Sequence, residues 1–517
     1  MKIVGFQSGH DVSYTILENG VPLIHEELER IIRLKEPLGD GLKMFFDQNP
    51  DMGDIKYFTL GNFGGSGGRW KSICGIQKYQ DKMNVMAAKN GGKYYEIGHH
   101  QSHASNAFFS SNFDEALIIT IDGGGWDDYS RPSAFTIWEG KDNKVTSIEL
   151  LPYSLCLGCL WVECTEKIFE LSIGHPIGNQ AGTVMGMATL GEPKYVTDIK
   201  TKNYSKLRDI ANKSEQERFN VAASLQKYTE DIVRSTLIPF IEKYKPKKLC
   251  FSGGVSLNCV MMGKVFDWFP EIEDIYCDPV PYDGGLSLGS ARYVWHHILD
   301  NPRIKWEDQS SSYLGKIYSK NDVLEAINNH KDECEVSYVN DADVIEYLNE
   351  QKIISVFGGG SESGRRALGN RSILADPRSE TMKDIINEKV KHRQWFRPFA
   401  PSILKEYVKD WFVRDVDSPY MSFVIKFKDE MKSKVAAVCH YDGTGRLQTV
   451  TENNNKWYYN FIKLWYNKTN VPILLNTSFN DREPIVETPE NAINCFLGTN
   501  IDYLYFYDYG ILIKKNK

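Results

Sequence analysis

The sequence predicts an α/β protein of two domains, and three observations carry that prediction. Apolar runs repeatedly end in glycine-rich turns, ALIITIDGGG at 116–125, KLCFSGGVSLN at 248–258 and IISVFGGG at 353–360, the pattern of buried strands with ligand-facing ends. The stretch 214–244 has apolar residues at helical spacing, no glycine and one proline, Pro239, and reads as a core-facing helix. The 517 residues allow two to four domains at roughly 100–200 residues each. The polar stretch 301–319, which includes Ser310-Ser311-Ser312, is the linker candidate, so the domains are expected at 1–307 and 312–517.

In chain order, KIVGFQSGHDVSYTIL reads as a strand, Glu18-Asn19-Gly20 as a turn, and VPLIHEELER as a second strand leading into a helix. The N-terminus lacks the apolar core of a signal peptide, and no apolar run approaches the roughly 18 residues of a membrane span. A cytoplasmic protein with no membrane partner is expected. Lys plus Arg number 61 against 68 Asp plus Glu, a net charge of −7, so the chain as a whole does not advertise polyanion binding. Ten cysteines are scattered. Cys156-x-x-Cys159 has no second pair or histidine at zinc-finger spacing, so buried free thiols are expected. No internal repeat is visible, and a homo-oligomer is compatible with the sequence.

The sharpest signal in the first half is GHHQSHA at 98–104. His99 and His103, four apart, share one helix face and can reach one metal. Asp122 at the end of ALIITID and Asp283 in Pro281-Tyr282-Asp283-Gly284-Gly285 are strand-end carboxylates of the kind that complete a divalent site. Ferrous iron, manganese or zinc suits that donor set; the alternative for Asp283 is a cap on the following helix. Gly253-Gly254 through Asn258 reads as a strand-to-helix turn able to hold a phosphate. His10-Asp11, just past the first strand, is either a turn pair or a general base with its orienting carboxylate.

The second half concentrates cations among small and apolar residues, in GRRALGNRS at 364–372, DPR at 376–378 and KHRQWFRPFAP at 391–401. Arginine suits bidentate clamping of oxyanions. Asn476-Thr477-Ser478-Phe479-Asn480 follows the apolar VPILL and offers short polar groups at a strand end. Neither a GxxxxGK[ST] loop nor a GxGxxG turn is present.

HHQSHA, ITIDGGG, SGGVSLN, PYDGGLSLGSA, RALGNRSILADPR, KHRQWFRPFAP and LLNTSFN, in that order, resemble the ATP-dependent O-carbamoyltransferases that decorate antibiotics and nodulation factors. The resemblance covers nearly the whole chain. It implies an N-terminal actin-like (ASKHA) duplicated α/β domain, shared with tRNA threonylcarbamoyladenosine synthesis and hydrogenase maturation proteins, followed by a C-terminal YrdC-like α/β domain. It further implies that carbamoyl phosphate and ATP, with magnesium as a candidate companion, form carbamoyl-adenylate in the second domain. Arg366, Lys391, Arg397, Arg446, Asn476 and Ser478 would bind the phosphates there, with Met421 near the adenine. In the first domain Gly124, Gly253, Gly254 and Asn258 would meet the adenylate beside a metal, ferrous iron foremost, on His99, His103, Asp122 and Asp283. His10 as general base, with Asp11 and His100, would promote attack of an acceptor hydroxyl, and AMP would leave. Two departures stand out: Arg365 where the family usually has proline, and Gly125-Trp126-Asp127-Asp128 where a glutamate often follows.

The acceptor is the open question. Residues 64–95 interleave Arg69, Lys71, Lys78, Lys82, Lys89 and Lys93 with Trp70, Tyr79, Tyr94 and Tyr95, the composition of a nucleic-acid contact. A hydroxymethylated base in nucleic acid would then be the acceptor; a basic lid over a small-molecule pocket is the alternative, favoured by the acidic chain. A sugar kinase of the same actin-like fold, an iron-dependent tRNA-modifying relative and a pure binding module are the other readings weighed.

Overall fold

The computed structural model describes residues 1–61, 76–127, 131–175, 177–305 and 312–516, except for the side chains of 76–80. Two compact units are present: residues 1–181, 196–208 and 225–307 in the first, and 182–195, 209–224 and 308–517 in the second. The last division, between 307 and 308, falls where the linker is expected, and 182–195 and 209–224 join the second unit as well. The helix Glu215–Tyr244 changes unit between Ser224 and Leu225, and Phe219 on it packs edge-on against Trp395 and Phe396 of the second unit.

The first unit holds two five-stranded sheets. One is built from β1 (Lys2–Gln7), β2 (Ser13–Glu18), β3 (Val21–Glu27), β4 (Ile55–Leu60) and β5 (Lys93–Glu96), in the order β3-β2-β1-β4-β5. The other comprises β6 (Glu115–Trp126), β7 (Pro132–Lys141), β8 (Lys144–Leu150), β9 (Lys248–Ser252) and β10 (Asp274–Cys277), in the order β10-β9-β6-β7-β8. Each sheet is an antiparallel three-strand meander whose first strand also pairs parallel to a fourth, and the fourth to a fifth. One plan used twice is the actin-like α/β architecture. The duplication escaped the sequence because a buried strand asks only for apolar residues, which many different strings supply.

The N-terminal segment forms two strands, since Gly9 (φ 108°) and Asp11 (φ 49°) turn the chain between Gln7 and Ser13. His10 and Asp11 consequently sit at the tip of that turn. The strand carrying Asp122 does not end there either. Ile121 pairs with Phe135 and Gly125 with Ser133, so residues 122–124 bulge out of the ladder opposite Ala134. The helices His99–Ser110 and Leu286–Tyr293 pack backbone to backbone: a Cβ on Gly289 would lie 2.7 Å from the Ser102 carbonyl carbon. That close approach brings the start of the second helix, with Asp283, up to His99 and His103.

The second unit is built on one nine-stranded mixed sheet. Its strands are β11 (Cys334–Tyr338), β12 (Ile354–Phe357), β13 (Arg371–Ala375), β14 (Ala400–Leu404), β15 (Phe423–Lys426), β16 (Thr444–Val450), β17 (Ile473–Ser478), β18 (Tyr503–Phe506) and β19 (Ile511–Lys515). They run in the order β11-β19-β18-β12-β13-β17-β14-β16-β15. The helix Lys456–Thr469 buries Tyr458, Phe461, Ile462 and Trp465 in a core shared with Val356, Leu374 and Leu474 from β12, β13 and β17. No helix among the described residues is long and apolar enough to cross a membrane.

Candidate functional site

His99 and His103 present their Nε2 atoms from one face of their helix, as the spacing requires. His103 Nε2 lies 2.8 Å from Asp122 Oδ2 and 3.4 Å from Asp283 Oδ1, and His99 Nε2 lies 3.4 and 3.8 Å from the same two oxygens. The four ligand atoms fall within 4.8 Å of one another. His103 Nδ1 faces Ser252 Oγ at 3.4 Å, which leaves Nε2 for the cluster. Burial opposes charge on His103, yet its hydrogen bonds to Asp122 and Asp283 lift it to about 9. Burial likewise works against the Asp122 carboxylate, and the bonds to His103 and His99 hold it well below the usual range. Two imidazole nitrogens and two carboxylate oxygens converging in a buried site fit a divalent transition metal.

His10 adjoins this cluster through Asp283. Its Nδ1 is 3.0 Å from Asp11 Oδ2, its Nε2 is 3.4 Å from Asp283 Oδ2, and its ring is 54% exposed. The Asp283 charge, followed by the Asp11 hydrogen bond, raises His10 to about 10. His100 does not join them. Fully buried, it is held at 2.7 Å by Thr120 Oγ1 and at 2.7 Å by the Ser133 carbonyl, and burial lowers it to about 3. Both ring nitrogens are thus engaged in the core rather than with the four ligand atoms. Asn258 is also a structural residue: its Oδ1 caps the helix Cys259–Trp268 through the Met261 N–H at 3.0 Å, and its Nδ2 donates to Gln226 at 2.8 Å. Gly254 lies beside the cluster, since a Cβ there would lie 3.1 Å from Asp122 Oδ1, whereas Gly253 packs against the Ile121 backbone. Gly124, at φ 116°, lies in the bulge itself.

Two features of this region were missed. Asp127, five residues beyond Asp122, accepts the Gln101 N–H at 2.8 Å and so caps the helix bearing the two histidines; burial raises its carboxyl to about 6. Cys156 and Cys159, expected only as buried thiols, both donate to the Gly123 carbonyl, at 3.1 and 3.0 Å. The sequence signals were a lone aspartate and a CxxC spacing, neither of which names its partner.

In the second unit the expected ligands form two groups. Lys391 Nζ donates to the Ser478 carbonyl at 2.9 Å and the Asn480 carbonyl at 2.7 Å, with Ser478 Oγ at 3.4 Å. Arg446 Nε donates to the Met421 carbonyl at 2.8 Å, and Met421 takes a left-handed conformation at φ 59°. Arg397 Nη1 meets Thr183 Oγ1 at 2.8 Å; burial, then the charge of Arg446, lowers Arg397 to about 10. Among the described residues Arg393, Arg397 and Arg446 make no ion pair with a carboxylate, an arrangement that favours an anion. Asn476 is buried and donates to Ala367 O, Ser402 Oγ and Gln448 Oε1 at 2.9–3.2 Å. It thereby ties the 366–368 turn, with Arg366, to β17; only its Oδ1 lacks a hydrogen bond.

Of the basic segment, Arg69, Trp70, Lys71, Lys78 and Tyr79 lie outside the described residues or side chains. Lys82 sits 3.7 Å over the Phe46 ring and Lys93 4.7 Å over the Tyr95 ring, while Tyr94 stacks on Phe6 and donates to Glu96. Tyr94 and Tyr95 are half-buried, whereas Lys82 and Lys93 are exposed.

Comparison with known proteins identifies the family. The family model "Carbamoyltransferase N-terminus" matches residues 195–292 and "Carbamoyltransferase C-terminus" matches 345–514. The nodulation protein NolO of Bradyrhizobium diazoefficiens is 33% identical over 438 residues, covering 79% of this chain and 77% of its own. An uncharacterized protein of Synechocystis is 33% identical over 467 residues, with 78% and 74% covered, and one of Methanocaldococcus jannaschii is 29% identical over the whole of both chains. Among solved structures, HypF of T. kodakarensis aligns with 58% of this chain and 48% of its own, at 11% identity and a TM-score of 0.40. The chain belongs to the carbamoyltransferase family and is a transferase.

Proposed function

We propose that the chain is an ATP-dependent O-carbamoyltransferase that divides its reaction between its two units. In the second, carbamoyl phosphate loses phosphate to water, and the carbamate attacks the α-phosphate of ATP, giving carbamoyl-adenylate and pyrophosphate. In the first, an acceptor hydroxyl attacks the carbamoyl carbon and AMP departs, a far better leaving group than an alkoxide. The observation that carries this reading is the contrast of the sites: Arg393, Arg397 and Arg446 with no carboxylate partner among the described residues in one unit, and two histidines with two carboxylates in the other.

Arg397 and Arg446 would hold phosphate oxygens, with Lys391 and Ser478 at the transferred carbamoyl phosphate. His99, His103, Asp122 and Asp283 would hold a divalent metal, ferrous iron foremost, which supplies Lewis acidity and an anchor for the adenylate. His10 would take the acceptor's proton, oriented by Asp11. A cation held by these four residues would offset the Asp283 charge beside His10, which would favour the neutral imidazole needed of a base. Gly253 and Gly254 would admit the adenylate phosphate beside Asp122.

The acceptor is a hydroxyl-bearing small molecule in this reading, supported by the net charge of −7. The test incubates the protein with ATP and carbamoyl phosphate, measures pyrophosphate, and then offers hydroxylated sugars, antibiotics, hydroxymethylcytosine nucleoside and hydroxymethylcytosine DNA. Acceptor mass gain by one HNCO on small molecules alone supports the proposal. Gain on polymer alone would replace it with nucleic-acid modification, and phosphate gain on a sugar would make the chain a kinase.

A further inference from the structure

The bulge that carries Asp122 is tied down by sulfur. Cys156 caps the N-terminus of the helix Leu157–Lys167, its Sγ accepting the Cys159 N–H at 3.1 Å. Three donors converge on the Gly123 carbonyl oxygen: Cys156 Sγ at 3.1 Å, Cys159 Sγ at 3.0 Å and the Tyr153 hydroxyl at 3.1 Å. Gly123 in turn donates its N–H to Asp122 Oδ1 at 2.6 Å. The absence of a side chain at Gly158 lets the helix end approach, since a Cβ there would lie 2.6 Å from the Asp122 carbonyl carbon. Thiols are weak donors. Serine at both positions would hold the same carbonyl better, and what sulfur adds is redox chemistry.

The placement suits that chemistry. Both sulfurs touch one oxygen atom, and residues three apart on a first helical turn lie within the Cα separation a disulfide spans. Cys159 is partly exposed and Cys156 lies buried, so a reagent meets Cys159 first; Cys164, the next cysteine along the helix, is fully buried.

We propose that Cys156 and Cys159 form a reversible redox pair, and that its oxidation releases the Gly123 carbonyl and disables the neighbouring Asp122 site. The oxidant is a low-molecular-weight disulfide, RSSR. The Cys159 thiolate attacks one sulfur of RSSR, giving a mixed disulfide and RS⁻. The Cys156 thiolate then attacks Cys159 Sγ and expels the second RS⁻. The two thiol protons pass to the two RS⁻ ions, so the dithiol loses two electrons and RSSR becomes two RSH. The Gly123 carbonyl keeps only Tyr153, and the Asp122 turn loses two of its three restraints. Such outer contacts typically set metal affinity or activity by about 10–100-fold.

The test equilibrates the full chain against graded ratios of reduced to oxidised glutathione, traps free thiols with iodoacetamide and maps peptides by mass spectrometry. Cobalt(II) binding, followed by its visible absorption, and carbamoyl transfer are measured on the same samples. The expected result is a linked Cys156–Cys159 peptide, a cobalt affinity at least about tenfold weaker in the linked form, recovery with dithiothreitol, and a C159S variant that keeps its affinity at every ratio. No linked peptide at any ratio would overturn the pair; a linked form binding cobalt as tightly as the dithiol would overturn its effect. The transfer readout alone rests on the proposed function. If the reduced chain binds cobalt but transfers nothing, that function fails, while the redox result is judged by peptide and cobalt.

Discussion

Gly125→Ala offers a way to disturb the metal-type cluster without touching any ligand. An added Cβ at Gly125 would lie 2.5 Å from the Cβ of His99, with the imidazole ring closer still. Carbon atoms rest about 3.5–4.0 Å apart, so bulge and helix must separate by roughly 1 Å. Metal–ligand distances tolerate about 0.2 Å. His99 Nε2, 3.4 Å from Asp122 Oδ2, cannot stay on the same ion as Asp122 after such a shift. The expected outcome is at least about 10–100-fold weaker binding of a divalent metal, with a stability loss near the 1–3 kcal/mol of ordinary overpacking. Gly123→Ala is the internal control. A Cβ there meets nothing within 4 Å, and the φ of Gly123 is not in the left-handed range, so metal binding should be kept. Isothermal titration of metal into both variants, alongside urea unfolding, reads the comparison. Wild-type affinity in Gly125→Ala, or equal losses in the two variants, would refute the assignment of His99 and Asp122 to one ion.

Buried neutral histidines set the acid limit of the fold. Burial lowers both His100 and His296 to about 3, whereas the unfolded chain takes up those protons near 6.5. Their contribution is complete above pH 6.5 and is lost as pH falls toward 3, on the order of 4 kcal/mol each. Urea unfolding from pH 7 to pH 4 should show this fall, and H296Q should show a smaller one; an unchanged slope would remove His296 from the account. Asp127 acts in the opposite sense. Its carboxyl, raised to about 6, keeps its proton in the fold while the unfolded chain releases it near 3.9, so stability falls as pH rises from 4 to 6. Asp127→Asn keeps the acceptor for Gln101 and should stabilise the metal-free protein by roughly 1–3 kcal/mol at pH 7 but not at pH 4. A thermal shift equal at both pH values would contradict that.

What the sequence made legible was what local periodicity encodes. His99 and His103 stand four apart, and one helical face follows from that alone. His100 misled because neighbours in a helix differ by about 100° in direction, which sends it to Thr120 and Ser133 in the core. Asn258 could be read two ways, since a polar residue at a strand-to-helix turn serves the helix N–H groups as readily as a phosphate, and here it caps the helix. Asp127 and the cysteine pair were illegible because their partners, Gln101 and Gly123, are chosen by tertiary packing between β6 and two helices. The doubled sheet plan left no repeat to read. Phe219 groups with the second unit because its aromatic partners lie some 180 residues along the chain, a pairing no local pattern encodes.

The central claim is the division of labour between the units, and chemical rescue tests it most directly. H103A and K391A are each assayed twice: for pyrophosphate release from ATP plus carbamoyl phosphate, and for transfer from chemically supplied carbamoyl-adenylate to the acceptor. The account expects H103A to release pyrophosphate as wild type does yet transfer nothing from either source. It expects K391A to release none yet transfer from supplied carbamoyl-adenylate. Loss of pyrophosphate release in H103A, or failure of the rescue in K391A, would contradict two separate sites.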